Sequence, residues 1–267
     1  MKSIRIAAKA ILYLVIYAAI VMLVNQAMYN WISDPKLHDW IVNNSGIVLI
    51  VSNIIVLAIY IPLLRLQKIT LKELGFVRPR SGSLWLSAGT GIWLGLFIAT
   101  FTRLPWIKVN FPAIADLVAF VAGGRFIIFL LGSLLLGSLL EEWLFRGMMF
   151  HTLRQRLSVA WTILLQAVLF GAVFMNVTIG AFAALGAIVY GIVRAGSNSL
   201  WASLAAHILS TGSLYLLLKW SVDWQSGTLG LLALISGLGI AVHAGLLLRQ
   251  PNRSKGKGQT VSGTITS

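Results

Sequence analysis

Residues Phe126–Gly147 read FIIFLLGSLLLGSLLEEWLFRG: an uncharged apolar run, two adjacent glutamates, and an arginine four residues after the second. Continued to Phe145, the run reaches the roughly 20 residues that a helix needs to cross a hydrocarbon core. A helix also satisfies its own backbone polar groups where no water is available. The stretch therefore predicts a membrane span carrying Glu141 and Glu142 at its inner end. An ionisable side chain within a span costs about 2.5–3.5 kcal/mol when central, which makes such a residue a functional candidate by default.

The rest of the chain agrees with a membrane setting. Of its 267 residues, 58% are hydrophobic, the mean hydropathy is +0.88, and only 10% are charged. Soluble domains carry about a quarter charged residues, so this chain cannot solvate a globular surface. A cytosolic enzyme and a disordered chain are excluded. So is a nucleic-acid-binding domain, despite the pI of 10.7, because the basic residues sit between apolar runs rather than on a polar face. With no cysteine, there is no disulfide framework, zinc–thiolate site or cysteine nucleophile.

Eight stretches qualify as spans: Ala10–Met28, Gly46–Leu64, Leu84–Phe101, Phe126–Phe145, Val159–Ile179, Ala181–Val193, Leu200–Trp220 and Leu229–Leu248. The sixth is short, and its boundary with the fifth, around Thr178–Gly180, is soft. The first is too long for a signal-peptide core and lacks a small-residue cleavage site after it. The fold class is therefore all-α, a polytopic helical membrane protein of about eight transmembrane helices. With the N-terminus inside, sixteen of the 21 Lys and Arg fall inside, against Lys36, Arg103, Lys108, Arg125 and Lys219 outside. This asymmetry predicts an N-in, C-in topology in a cell membrane, with a bacterial plasma membrane as the expected setting.

Residues 1–125 form an N-terminal group of membrane helices, 126–220 a core, 221–250 the last span and 251–267 a disordered polar tail. The connector Gln67–Leu84 reads as an amphipathic segment along the headgroups, with Ile69, Leu71, Leu74 and Phe76 among basic residues, or equally as a plain basic loop. Thr102–Arg125, with Pro105, Trp106 and Pro112, reads as an outer loop. Arg194 reads as the inner end of the sixth span.

Of the seven acids, Asp34, Asp39, Asp116 and Asp223 fall in predicted outer loops and Glu73 in the connector. Only Glu141 and Glu142 fall on a span. Two neighbouring carboxylates do not both ionise cheaply in a low dielectric. Arg146 follows Glu142 by four residues on the same helical face, in the favourable order. One carboxylate clamped by arginine and one free to act as a base is the chemistry suggested. An interfacial salt bridge that anchors the helix is the competing reading.

The run Glu141-Glu142-Trp143-Leu144-Phe145-Arg146-Gly147 resembles the EExxxRG signature of the CPBP family, the CAAX proteases and bacteriocin-processing enzymes also called Abi. Leu169-Phe170-Gly171 resembles the start of that family's FxxxH element, and the stretch from Gly191 through Ala206-His207 resembles the approach to its HxxxN element. The resemblance covers roughly Phe126–Leu217. It implies an intramembrane endopeptidase that cuts a membrane-associated peptide or protein, with 126–220 as the protease core and no cofactor. Glu141 would activate a water, Glu142 and Arg146 would hold the geometry, and His207 with Thr211 would hydrogen-bond the oxyanion.

Two positions depart from the pattern. Phe174 stands where the family has its first histidine, and Thr211 where it has asparagine. Phenylalanine can neither donate nor accept a proton, whereas a threonine hydroxyl still donates one hydrogen bond. Helical geometry places Asn176, Gln166 and His151 poorly to replace the lost imidazole. A metal would have Glu141, Glu142 and His207 as its nearest ligands, one imidazole short of the common His₂–carboxylate set. A catalytically degraded relative, kept as a peptide-binding, bacteriocin-immunity or scaffold protein, is the alternative function. A transporter or channel lacks a charged path across the bilayer.

Overall fold

The computed structural model describes residues 2–80, 82–121, 125–219 and 224–250. The expected tail 251–267, and the loop residues Trp220 and Asp223, lie outside the described residues. Eight apolar helices follow one another: α1 Ile4–Trp31, α2 Gly46–Leu66, α3 Ser83–Phe101, α4 Phe126–Arg154, α5 Val159–Ala172, α6 Val177–Ser197, α7 Leu200–Lys219 and α8 Ser226–Arg249. All except α5 are long and apolar enough to cross a membrane. The protein is all-α and multi-pass, with no strand among the described residues.

Hydrogen bonds between distant segments fix which helix ends lie together. Leu200 N donates to Gly75 O at 2.7 Å, and Arg80 Nη1 to Gln250 O at 3.4 Å. The 67–80 connector therefore lies with the start of α7 and the end of α8. At the opposite end, Arg103 Nη2 donates to Leu217 O at 2.9 Å, joining the ends of α3 and α7.

Small residues let the helices approach. A Cβ at Gly91 would overlap the Ala206 carbonyl oxygen, and one at Gly95 would meet the Ser210 carbonyl, so α3 and α7 pack backbone against backbone. Gly171 and Gly180 make the same approach between α5 and α6. Where lipid removes the hydrophobic drive between helices, such close packing supplies much of the attraction.

The structure corrects several boundaries. The fourth span does not stop at Phe145 but runs on to Arg154, so Glu141 and Glu142 lie near the middle of α4 rather than at its end. The helix is also not uniform: Leu130–Gly137 and Glu142–Met149 are π-helical. Such wide turns are rare and concentrate at functional sites. The fifth span ends at Ala172 instead of Ile179. The chain then turns, with Met175 left-handed at φ 49° and Asn176 Oδ1 capping α6 by accepting from Ile179 N at 3.0 Å. A capping asparagine competes effectively with helix continuation. The sixth span consequently gains the four residues before Ala181 and is of full length.

The connector is not a headgroup-lying amphipathic helix. Only Leu71–Leu74 is helical, opened by a Thr70–Glu73 capping box and closed by left-handed Gly75. Leu74 is buried, Ile69 and Phe76 pack on the core around Tyr60 and Leu144, and the Phe76 ring meets those of Trp143 and Trp201. Ile69, Leu74 and Phe76 thus face protein, while Leu71 stays exposed. The expected outer loop contains two helices, Pro105–Asn110 and Pro112–Val121, each opened by a proline.

Packing of α3 on α7 has a direct test. Gly91→Ala should lower the thermal midpoint of the detergent-purified protein, because an overpacking cost of about 1–3 kcal/mol exceeds the gain of roughly 1 kcal/mol in helix propensity. Gly245→Ala, where a Cβ meets open space, should leave the midpoint unchanged or raise it.

Candidate functional site

The site forms where the π-turn of α4 meets α6 and α7. Glu142 is enclosed, with its side chain 1% exposed, and each of its oxygens has a partner. Oε1 lies 3.3 Å from Arg146 Nη1 and 3.1 Å from His207 Nδ1, and Oε2 accepts from Ser203 Oγ at 2.5 Å. Arg146, fully buried, also donates Nη2 to Ala187 O at 3.2 Å. Its guanidinium lies between the faces of Phe170 and Tyr190, at 5.4 and 5.1 Å from their centroids. Buried charges are stable only when paired and hydrogen-bonded; the pair and the Nη2 bond supply much of this for Arg146, while its Nε has no hydrogen-bond partner.

Glu141 differs from its neighbour. Its side chain keeps 28% exposure, and Oε2 lies 3.7 Å from His207 Nε2. The imidazole thus has one nitrogen on the enclosed carboxylate and the other towards the open one. An Nδ1–H donated to Glu142 leaves the Nε2 lone pair facing Glu141. The Tyr190 ring stacks on the imidazole, centroids 4.3 Å apart, and fixes its plane.

Glu141 and His207 open onto a cavity of about 350 Å³. Its walls are chiefly apolar, among them Leu94, Phe97, Leu117 and Phe182, while Tyr17, Asn53, Ser133, Ser210 and Thr211 add polar groups. Sites that bind organic ligands have this character, a large apolar wall with a few convergent polar groups.

Four of the five site residues singled out in the sequence, Glu141, Glu142, Arg146 and His207, are in contact as one cluster, and Thr211 lines the same cavity. Phe174 lines it too. None of the three stand-ins considered for the missing imidazole reaches the cavity wall. Gln166 is buried and donates to the Ala187 and Ile163 carbonyls, Asn176 caps α6, and His151 lies outside the lining. Among the described residues, no group of three or more His, Asp or Glu side chains is placed to hold a metal ion.

Arg194 lies in the last turn of α6, at the expected span end, and it is buried there: it donates Nε to Arg146 O at 3.2 Å and Nη2 to Leu74 O at 3.3 Å, with its guanidinium over the Phe150 ring. It ties the connector to the backbone of the cluster arginine. Sequence reasoning missed Tyr190, which carries no motif signal, whereas Ser203 continues the helical face of His207 and Thr211 and donates to Glu142.

Residues 123–213, roughly a third of the chain, match the family model described as Type II CAAX prenyl endopeptidase Rce1-like. All five site residues and Phe174 fall inside the match, and over that segment the resemblance to the CPBP intramembrane endopeptidases holds. Comparisons with curated proteins and with solved structures return no match.

The cluster predicts a contrast in stability. Arg146→Ala strands a buried carboxylate and should cost about 3–5 kcal/mol. Glu141→Gln, at the partly open position, should change stability by under about 1 kcal/mol. Denaturation in detergent, followed by tryptophan fluorescence, measures both.

Proposed function

We propose that the chain is an intramembrane endopeptidase of the CAAX-processing type, in which Glu141 and His207 jointly activate a water for attack on a peptide carbonyl. The observation that carries this reading is the 3.7 Å approach of His207 Nε2 to Glu141 Oε2 at the wall of the cavity. A water beside that gap, about 2.8 Å from each atom, donates one hydrogen bond to the carboxylate and one to the imidazole. Its lone pair is then free to add to the substrate carbonyl carbon. As the C–O bond forms, Glu141 takes the proton and later delivers it to the departing amine nitrogen.

The other residues act through these two. Glu142, held by Arg146 and Ser203, keeps His207 in the Nδ1–H tautomer. Thr211 is the hydroxyl available to the oxyanion. One donor of this kind contributes about 3–4 kcal/mol. The apolar walls of the cavity suit a substrate with an apolar chain. The supporting comparison is the Rce1-like match over 123–213. We place the protein in a bacterial plasma membrane with both termini in the cytoplasm, consistent with the basic connector lying at the end that holds the start of α7 and the end of α8. The partners are then the lipid bilayer and a membrane-associated peptide or protein.

A second reading, a relative that binds peptide without cutting it, is favoured by Phe174 on the cavity wall, where the family pattern has a histidine. One assay separates the two. The full chain, reconstituted in liposomes with a prenylated CAAX peptide, should cleave it, and Glu141→Gln or His207→Ala should lower the rate by at least about a hundredfold. Phe174→His should raise the parent rate. No cleavage by the parent, with peptide binding retained and activity appearing only in Phe174→His, would establish the second reading.

A further inference from the structure

A second cavity, of about 340 Å³, opens between the start of α1 and the turn that joins α4 to α5. Arg5, Ile6 and Lys9 line it from α1, and Gln155 and Arg156 from the turn. Its wall therefore carries three cations and no carboxylate. Among the described residues, the ion pairs are those of Glu141 and Glu142 with Arg146 and His207, and none involves these three cations. Lys9 stands 5.9 Å from the Tyr13 ring centroid, while the neighbouring Arg154 is engaged by the Leu157 carbonyl. Like charges gathered round one concavity repel each other, and an anion held between them removes that repulsion.

The position along the bundle indicates which anion. Tyr13 Oη donates to Gln67 Oε1 at 2.5 Å, which levels Tyr13 with the end of α2. Arg5 lies eight residues earlier on α1, about 12 Å farther along the axis. The cavity thus sits just beyond the level at which apolar α2 ends, where headgroup phosphates lie. Basic pockets between helix ends at this depth suit anionic lipid headgroups.

We propose that this cavity binds the phosphate of an anionic phospholipid, with Arg5, Lys9 and Arg156 as its cations, the Gln155 amide as a neutral donor, and Ile6 against the glycerol end of the acyl chains. Because α1 also carries Tyr17 to the wall of the larger cavity, a lipid bridging α1 and the α4–α5 turn holds that wall in place. This inference stands independently of any peptidase activity.

The test uses the purified full chain and phosphatidylglycerol as probe. Native mass spectrometry should show a retained phosphatidylglycerol adduct. Vesicles of phosphatidylcholine doped with phosphatidylglycerol should raise the thermal midpoint above that in phosphatidylcholine alone. Arg156→Gln, and separately Arg5→Gln with Lys9→Gln, should weaken the adduct by about fivefold for each charge removed, with the midpoint in phosphatidylcholine unchanged. Arg156→Lys should retain the adduct, which shows that charge and not loss of fold is responsible. Lys72→Gln, outside the cavity, should bind as the parent does. Equal phosphatidylglycerol binding by parent and cavity variants overturns the proposal. A midpoint rise produced fully by inorganic phosphate alone overturns the lipid assignment.

Discussion

The structure depends on keeping one ion pair dry. Glu142 and Arg146 are both out of solvent in the middle of a membrane helix, where an unpartnered charge is untenable and even a paired one needs further hydrogen bonds. The surrounding elements supply most of them, leaving Arg146 Nε without a partner. The π-turn of α4 carries both residues, α7 brings Ser203 and His207 to the carboxylate, and α6 brings the Ala187 carbonyl and the Tyr190 ring to the guanidinium. The ion pair thereby fixes how three helices meet, and the imidazole orientation follows from it.

A second shell of contacts carries that arrangement to the end of the bundle. Arg194 bonds the carbonyl of Arg146 and the carbonyl of Leu74, so the connector is tied to the backbone of the buried arginine. Gly75 makes room for this: it adopts a left-handed conformation, and a Cβ there would run into the Arg194 guanidinium. A loop that hydropathy assigns to the membrane surface is in this way part of the support of the site. The asymmetry between the two glutamates is the outcome. The enclosed one is bonded by Arg146, Ser203 and His207, and the other faces the cavity.

Hydropathy alone revealed the helical membrane architecture, because a run such as Gly46–Leu66 can only be a lipid-facing or buried helix. Scarcity of acids revealed Glu141 and Glu142, and i, i+4 spacing revealed Arg146. What sequence periodicity could not show are features decided by tertiary contact. An ideal wheel hides the π-turns of α4, and a largely apolar pattern through Ile179 hides the turn at 173–176, after which Asn176 caps α6. Arg194 at a span end looks like a topology marker until the carbonyls it serves are seen. Tyr190 carries no pattern at all, since stacking on His207 leaves no trace in spacing. Phe174 lies on the cavity wall, and none of Gln166, Asn176 and His151 joins it there.

The most direct measurement is the tautomeric state of His207 in a lipid bilayer. Nitrogen-15 NMR of histidine-labelled protein, with the signal assigned by loss in His207→Gln, distinguishes the two ring nitrogens. A buried Glu142 that orients the ring predicts a proton on Nδ1 and a bare Nε2, with that preference lost in Glu142→Gln. A proton on Nε2 in the parent protein, unaffected by Glu142→Gln, would contradict the assignment of Glu142 as the orienting group and of His207 Nε2 as a water acceptor.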